Sequence, residues 1–443
     1  MKFSITRPNR PSGPGATSVL CRPLSVWWCA AGWIVSSGVF AALTQLLRGP
    51  TSADSPESMN TAWAISHGVL SCAYAPRNQY SLPYMAPLYP LLSSAAAFLT
   101  RIGSGAPFPS SVDLGPHCST AIHAMYEWSV RSGAIGPTLR IGYLGWLVLA
   151  AGVVIFLRSS GRGRCAWEPL TLMLLAVAPP VFMCLQEYFH PEDLVALGLA
   201  LGGLACVQRG KWVWAGVLLG LAVTSQQYAV LIAAALLVVA PRNQKFRFVV
   251  AAIGSAAIVV IPLVVYDKTS ALHAAAVGSG SVATYANTLV DELHLSGPWL
   301  FLVSRILPIA VAIVIAWLAE QMLGSAVLEP VPLLSLCAMV LCLRLIFEVG
   351  LFGYKFMAVT VVLGLLDVMR GRVRAVLVVW VVLIGVAFHP FTWGLDSLRS
   401  SSAFWFPLWL WQLVLVPIVI YLAAGPFLSF AKQRLEAEPA TVQ

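Results

Sequence analysis

Pro137-Thr-Leu-Arg-Ile-Gly-Tyr-Leu-Gly-Trp-Leu-Val-Leu-Ala-Ala-Gly-Val-Val-Ile-Phe-Leu157 runs straight into Arg158-Ser-Ser-Gly-Arg162-Gly-Arg164. A continuous apolar stretch of this length crosses hydrocarbon as one helix, which needs about 17–25 residues. The arginines that end it mark the side on which the chain emerges. The same unit recurs along the chain. Further apolar runs predict helices over about 24–46, 168–185, 193–208, 212–224, 227–240, 248–266, 299–318, 330–348, 355–369, 374–389 and 403–424. The short pair 212–224 and 227–240 is read as two helices, with one long tilted helix as the alternative. The fold class is therefore all-α, a polytopic membrane protein with about 12 transmembrane helices.

Composition leaves little room for another class. Hydrophobic residues make up 59% and charged residues 10% of the 443, where a soluble domain carries roughly 25% charged residues. A β-barrel would show alternating segments of about ten residues, and the apolar runs here are continuous. The formal net charge of +9 raises the question of nucleic acid. The positions of the charges argue against it. Arg158, Arg162 and Arg164; Arg209 and Lys211; Arg242, Lys245 and Arg247; Arg370, Arg372 and Arg374; and Lys432 and Arg434 each punctuate the space between apolar runs. Alternating spans from an inside start put all five clusters on the cytoplasmic side, as the positive-inside rule asks.

Residues 1–23, polar and basic with Lys2, Arg7, Arg10 and Arg22, read as a disordered cytoplasmic tail. The run 24–46 is too long for a signal-peptide core and reads as an uncleaved first helix. The membrane domain extends over 24–424, and 425–443 reads as a second cytoplasmic tail. Residues 48–136 form a long first extracytoplasmic loop, with surface helices at about 57–72 and 84–101. Nine cysteines show no metal-ligand spacing and no C-x-x-C pair. Cys72 and Cys118 both fall in the outer loop, where a disulfide would persist, and spacing alone does not bring them within bonding reach.

Polar residues gather on the outer side. Asp54 and Glu57 follow the first helix directly, and a carboxylate there suits a general base acting on an acceptor hydroxyl. The other reading is a solvated loop in which Asp54 or Ser55 caps the following helix. Gln186-Glu187-Tyr188-Phe189-His190-Pro191-Glu192-Asp193 holds a good helix start, with proline followed by acids that complement the dipole. Capping explains the acids but not His190 and Glu187, at a surface where polar clusters tend to mark function. The turn Thr224-Ser-Gln226-Gln227-Tyr228 sets polar side chains between two short helices. Arg344 and Glu348 sit four apart on one helix face, with Tyr354 and Lys355 beyond. They form either a self-neutralising ion pair or a cation site for a lipid-linked phosphate, whose oxygens match the arginine fork.

Together these residues resemble the glycosyltransferase superfamily C, membrane enzymes that use polyprenyl-phosphate sugars. Asp54 occupies the position of the acidic residue that many members carry just past the first helix. Ala86-Pro87-Leu88-Tyr89-Pro90 resembles the Pro-Pro-Leu-Tyr-like element of their surface helices. His190-Pro191-Glu192-Asp193 is similar to the His-Pro-Asp segment of bacterial polyprenyl-phosphate-mannose-dependent members, and Trp214–Thr224 matches a recurrent run of the same proteins. Two departures stand out. The nearest acidic partner of Asp54 is Glu57, and Thr224-Ser225-Gln226 replaces a common Thr-Lys, so any phosphate contact of that lysine passes to Arg344 or Lys355 or is absent.

The resemblance implies an inverting transferase at the extracytoplasmic face of the cell membrane. It would move a mannose- or arabinose-class sugar from a polyprenyl-phosphate donor to a glycan or glycolipid acceptor of the envelope. Asp54 would be the catalytic base. Glu57, Glu187, His190, Glu192, Gln226, Arg344 and Lys355 would bind substrate. No cofactor is fixed by these motifs, and divalent metal use varies in the superfamily. The alternatives are a transporter or flippase of an envelope precursor, whose kind commonly shows repeats and broken helices, and a non-catalytic envelope scaffold.

Overall fold

The computed structural model describes residues 23–46, 54–69, 87–100, 135–186, 189–266, 297–348, 353–371 and 408–437, with isolated positions between 111 and 131 and between 290 and 295. Every regular element among them is helical. In chain order these are α1 (Val26–Leu46), α2 (Asp54–Ser66), α3 (Leu88–Thr100), α4 (Ile135–Ser159), α5 (Trp167–Ala176), α6 (Pro179–Gln186), α7 (Pro191–Gln208), α8 (Trp212–Ser225) and α9 (Ala229–Val239). They continue with α10 (Arg242–Tyr266), α11 (Gly297–Phe301), a π-helical turn (Leu302–Ile306), α12 (Leu307–Leu323), α13 (Pro330–Phe347), a short tight turn (Gly353–Phe356), α14 (Met357–Arg370) and α15 (Leu408–Ala437). The expected helix 374–389, the tail 1–22 and both Cys72 and Cys118 lie outside the described residues.

Among the described residues seven helices are long and apolar enough to cross a membrane, or eight if α5 and α6 act as one bent span. Their surfaces confirm the solvent. Large apolar side chains such as Trp27, Ile34, Phe246, Ile258, Val265, Trp299 and Trp317 point outward, while His190, Glu192, Asp193, Arg344 and Lys355 are buried. An apolar exterior of this extent is covered by lipid. The chain is a membrane-embedded, polytopic helical protein.

Two expected elements differ in shape. The run 168–185 is not one straight helix: α5 and α6 meet at a 56° bend. Pro179 and Pro180 follow the break, and proline opens a helix more readily than it continues one. The pair 212–224 and 227–240 is two helices, because Gln226 is extended (φ −156°, ψ 131°). In addition, the first surface helix ends at Ser66 and α15 continues past 424 to Ala437.

Glycine sets how the central helices meet. A Cβ at Gly152 would strike the Gly198 carbonyl, and one at Gly198 would strike the Val148 carbonyl. A Cβ on Gly145 would lie 2.7 Å from the Pro191 oxygen. These contacts run in the same direction along both chains, so α4 and α7 are parallel and packed backbone to backbone, the close approach that small residues permit. Gly216 against Phe248 and Gly220 against Ala252 do the same for α8 and α10. The first helix closes on α4 through Phe40, whose ring stacks on Trp146 at 4.5 Å.

One end of the bundle collects the basic clusters. Arg162 donates to the Met369 carbonyl at 3.0 Å, Ser159 and Ser160 to the Gln208 side chain, and Arg434 to the Leu323 carbonyl at 2.8 Å. The C-terminal ends of α4, α7, α12, α14 and α15 therefore share one pole. At this pole Arg158 also grips the fully buried Glu168 through two nitrogens, at 2.7 and 3.1 Å. The N-terminus of α7 and the C-terminus of α13 lie at the other pole.

Candidate functional site

The opposite pole is built around the first turn of α7. Pro191 occupies its first position and costs no hydrogen bond there, and Glu192 and Asp193 follow in the first turn. Before it, Phe189 takes φ +48°, a conformation that a bulky side chain rarely adopts and that costs about 1–3 kcal/mol. Packing holds it in place: the Phe189 ring lies over Gly142, where an added Cβ would meet it at 3.0 Å. The turn so fixed delivers His190 and the two acids into the bundle interior, each 1% exposed or less.

Each acid has a distinct partner. His190 Nδ1 lies 2.6 Å from Glu192 Oε1, and the imidazole stacks on Tyr354 with centroids 4.2 Å apart. Arg344 Nη1 donates to Asp193 Oδ1 at 2.6 Å, and the Gln226 amide donates to Oδ2 at 3.1 Å. The guanidinium also lies 4.6 Å over the Tyr228 ring, a cation–π contact strengthened by burial. Tyr228 and Ser225 fasten the α8–α9 turn to α7 by donating to the Asp193 and Glu192 carbonyls at 2.8 and 3.0 Å.

Beyond Asp193 the network continues through Glu348. Its Oε1 takes Arg305 Nη1 at 3.3 Å and lies 3.7 Å from Lys355 Nζ, and its Oε2 takes Arg344 Nε at 3.4 Å. One carboxylate thus faces three cations drawn from three separate segments. Removing it is worse than removing one cation. Glu348→Gln should lower stability by about 2–3 kcal/mol, because three cations then crowd a neutral amide. Lys355→Met should cost less than half of that, since Arg305 and Arg344 still serve Glu348. Thermal unfolding of the two variants in detergent compares them, and equal losses would refute the ordering.

The surface helix α3 borders the same place. Tyr89 is buried among Leu88, Val195 and Val259. Burial, joined by the Glu192 carboxylate close by, pushes its phenol well above the ordinary value.

No protein-family model and no curated protein matches this chain. The site therefore rests on its geometry.

Of the residues read from sequence as site candidates, the structure brings His190, Glu192, Gln226, Arg344 and Lys355 into one buried network. Asp54 and Glu57 lie in the first turn of α2, with their side chains outside the described residues, as is Glu187 altogether. Sequence reasoning missed Arg305; it named Tyr228 and Tyr354 without giving either a role, and it read Asp193 as a complement to the helix dipole and as part of the segment similar to His-Pro-Asp. Arg305 sits on the π-helical turn and carries no spacing signature toward Glu348. Chemically, the network offers buried cations, a histidine–carboxylate pair, and three side chains whose ligand atoms lie within 4.8 Å of one another: His190, Glu192 and Asp193.

Proposed function

We propose that this chain is a membrane glycosyl transferase using a polyprenyl-phosphate sugar, with about 12 spans and its site on the extracytoplasmic face of the cell membrane. The observation that carries the reading is the position of the Asp193–Arg344–Glu348–Lys355 network, at the pole away from every placed basic cluster. With the basic pole held in the cytoplasm, such a network meets a lipid-linked head group in the outer leaflet. A mannose- or arabinose-class sugar would pass to a glycan or glycolipid of the envelope.

Asp54, at the opening of α2, would take the proton of the acceptor hydroxyl. That oxygen attacks the anomeric carbon, the bond to lipid phosphate breaks, and the anomeric centre inverts. Arg344 and Lys355 would offset the charge that grows on the departing phosphate. A guanidinium has five N–H donors, and Arg344 directs Nη1 and Nε at protein carboxylates, which fixes its plane before substrate arrives. Glu57, Glu187, His190, Glu192 and Gln226 would orient sugar and acceptor.

The test is transfer from radiolabelled polyprenyl-phosphate mannose and arabinose by protein reconstituted in liposomes. Asp54→Asn, at matched incorporation, should reduce transfer by about a hundredfold or more. Full transfer by the substituted protein would remove Asp54 as the base. The 56° break between α5 and α6 favours a second reading, a transporter or flippase, since discontinuous helices are common in such proteins. Counterflow of intact substrate across sealed vesicles, without a transfer product, would establish that reading instead.

A further inference from the structure

The geometry points to a divalent transition-metal ion held by His190, Glu192 and Asp193. This holds whether the protein transfers sugar or moves a lipid.

The first ground is the donor set. Three side chains from one turn, two of them carboxylates and one an imidazole, present ligand atoms within 4.8 Å of one another. Ligands around one tetrahedral ion at bonding distance stand about 3.4 Å apart, so a small closure completes the set. A mixed imidazole and carboxylate shell suits first-row ions from Mn²⁺ to Zn²⁺ better than Mg²⁺ or Ca²⁺, which prefer oxygen alone.

The second ground is an unsatisfied oxygen on one of the three. Glu192 is 1% exposed, and its Oε2 finds no hydrogen-bond donor among the described residues. A buried carboxylate oxygen left so costs about 1–3 kcal/mol or more, and native structures seldom tolerate it unless a water or ion is meant to sit there. The bonded oxygen of the same carboxylate already lies 2.6 Å from His190 Nδ1. An ion bound at Oε2 would satisfy this oxygen, with His190 and Asp193 closing on it as the other two ligands.

The surroundings are arranged as a supporting shell. Asp193 keeps Arg344 on Oδ1 and Gln226 on Oδ2, and each carboxylate oxygen has a further lone pair for an ion. Those bonds orient the ligand, as partners of metal-bound carboxylates do. The stacked Tyr354 ring holds the His190 plane. Asp193 is ion-paired to Arg344, while Arg305 and Lys355 lie 3.3 and 3.7 Å from Glu348.

The test uses the full chain purified in detergent and stripped of metal by chelator. Titration with Mn²⁺ and, separately, Zn²⁺ should raise the thermal unfolding temperature and leave one ion per chain after gel filtration, measured by elemental analysis. Paramagnetic resonance of the Mn²⁺ form should show coupling to an imidazole nitrogen. His190→Gln should remove that coupling, and Glu192→Gln should weaken binding by about a hundredfold or more, since even outer-shell changes cost 10–100-fold. Glu348→Gln, outside the ligand set, should still hold the ion. The proposal fails if the wild type retains no ion and gains no stability, or if both ligand variants bind as the wild type does. Should a variant not stay monodisperse, the wild-type thermal shift and the nitrogen coupling decide alone.

Discussion

Arg344→Leu is expected to lower stability by about 3–5 kcal/mol, the cost of breaking a buried ion pair from one side. Arg344 is 7% exposed and joins both Asp193 and Glu348. Without it Glu348 retains Arg305 and Lys355, while Asp193 retains only the neutral Gln226 amide among the side-chain contacts described above. The burden therefore falls on Asp193. The double substitution Arg344→Leu with Asp193→Asn should recover part of the loss, because an amide is cheaper to bury unpaired than a carboxylate. Thermal unfolding in detergent measures both. A single variant as stable as the wild type would mean that the Arg344–Asp193 pair does not hold the fold together.

That pair also shows what the sequence could and could not reveal. Arg344 and Glu348 stand four apart on one helix, so their contact follows from helical spacing. Pro191 with two acids behind it announces the start of α7. Asp193 and Arg344, by contrast, are 151 positions apart, and no local pattern links them. Arg305 reaches Glu348 from a π-helical turn, and such turns leave no hydrophobic period to read. The bend before Pro179 lay inside an apolar run whose length suggested a single span. The spans themselves were legible because hydrocarbon demands uninterrupted apolarity. How those spans associate was not, since it depends on glycines meeting backbone from another helix.

Gly198→Leu is the second substitution expected to have a large effect. Its side chain would enter the space held by the Val148 carbonyl and the Leu149 nitrogen, and backbone, unlike a flexible side chain, cannot step aside. Overpacking a core costs about 1–3 kcal/mol, occasionally more, and a forced separation of α4 and α7 belongs at the upper end. Because α7 carries His190, Glu192 and Asp193, activity should fall along with stability. Gly202→Ala is the matched control. An added Cβ there would meet only the Leu218 side chain, at 3.4 Å, and alanine gains roughly 0.5–1 kcal/mol over glycine in a helix. Unfolding temperatures for Gly198→Ala, Gly198→Leu and Gly202→Ala should therefore divide into losers and a neutral or improved variant. Equal values would mean that α4 and α7 are not in backbone contact.

The α8–α9 turn has a consequence for the lipid around it. With 14 and 11 residues, the two helices reach about 21 and 17 Å, against a hydrocarbon slab of about 30 Å. Each helix is thus shorter than the full slab, and the bilayer bordering α8 and α9 would accommodate the mismatch by thinning there. Under the proposed function, the head groups of lipid-linked substrate would lie nearer the Gln226 turn at this thinned rim than elsewhere around the bundle.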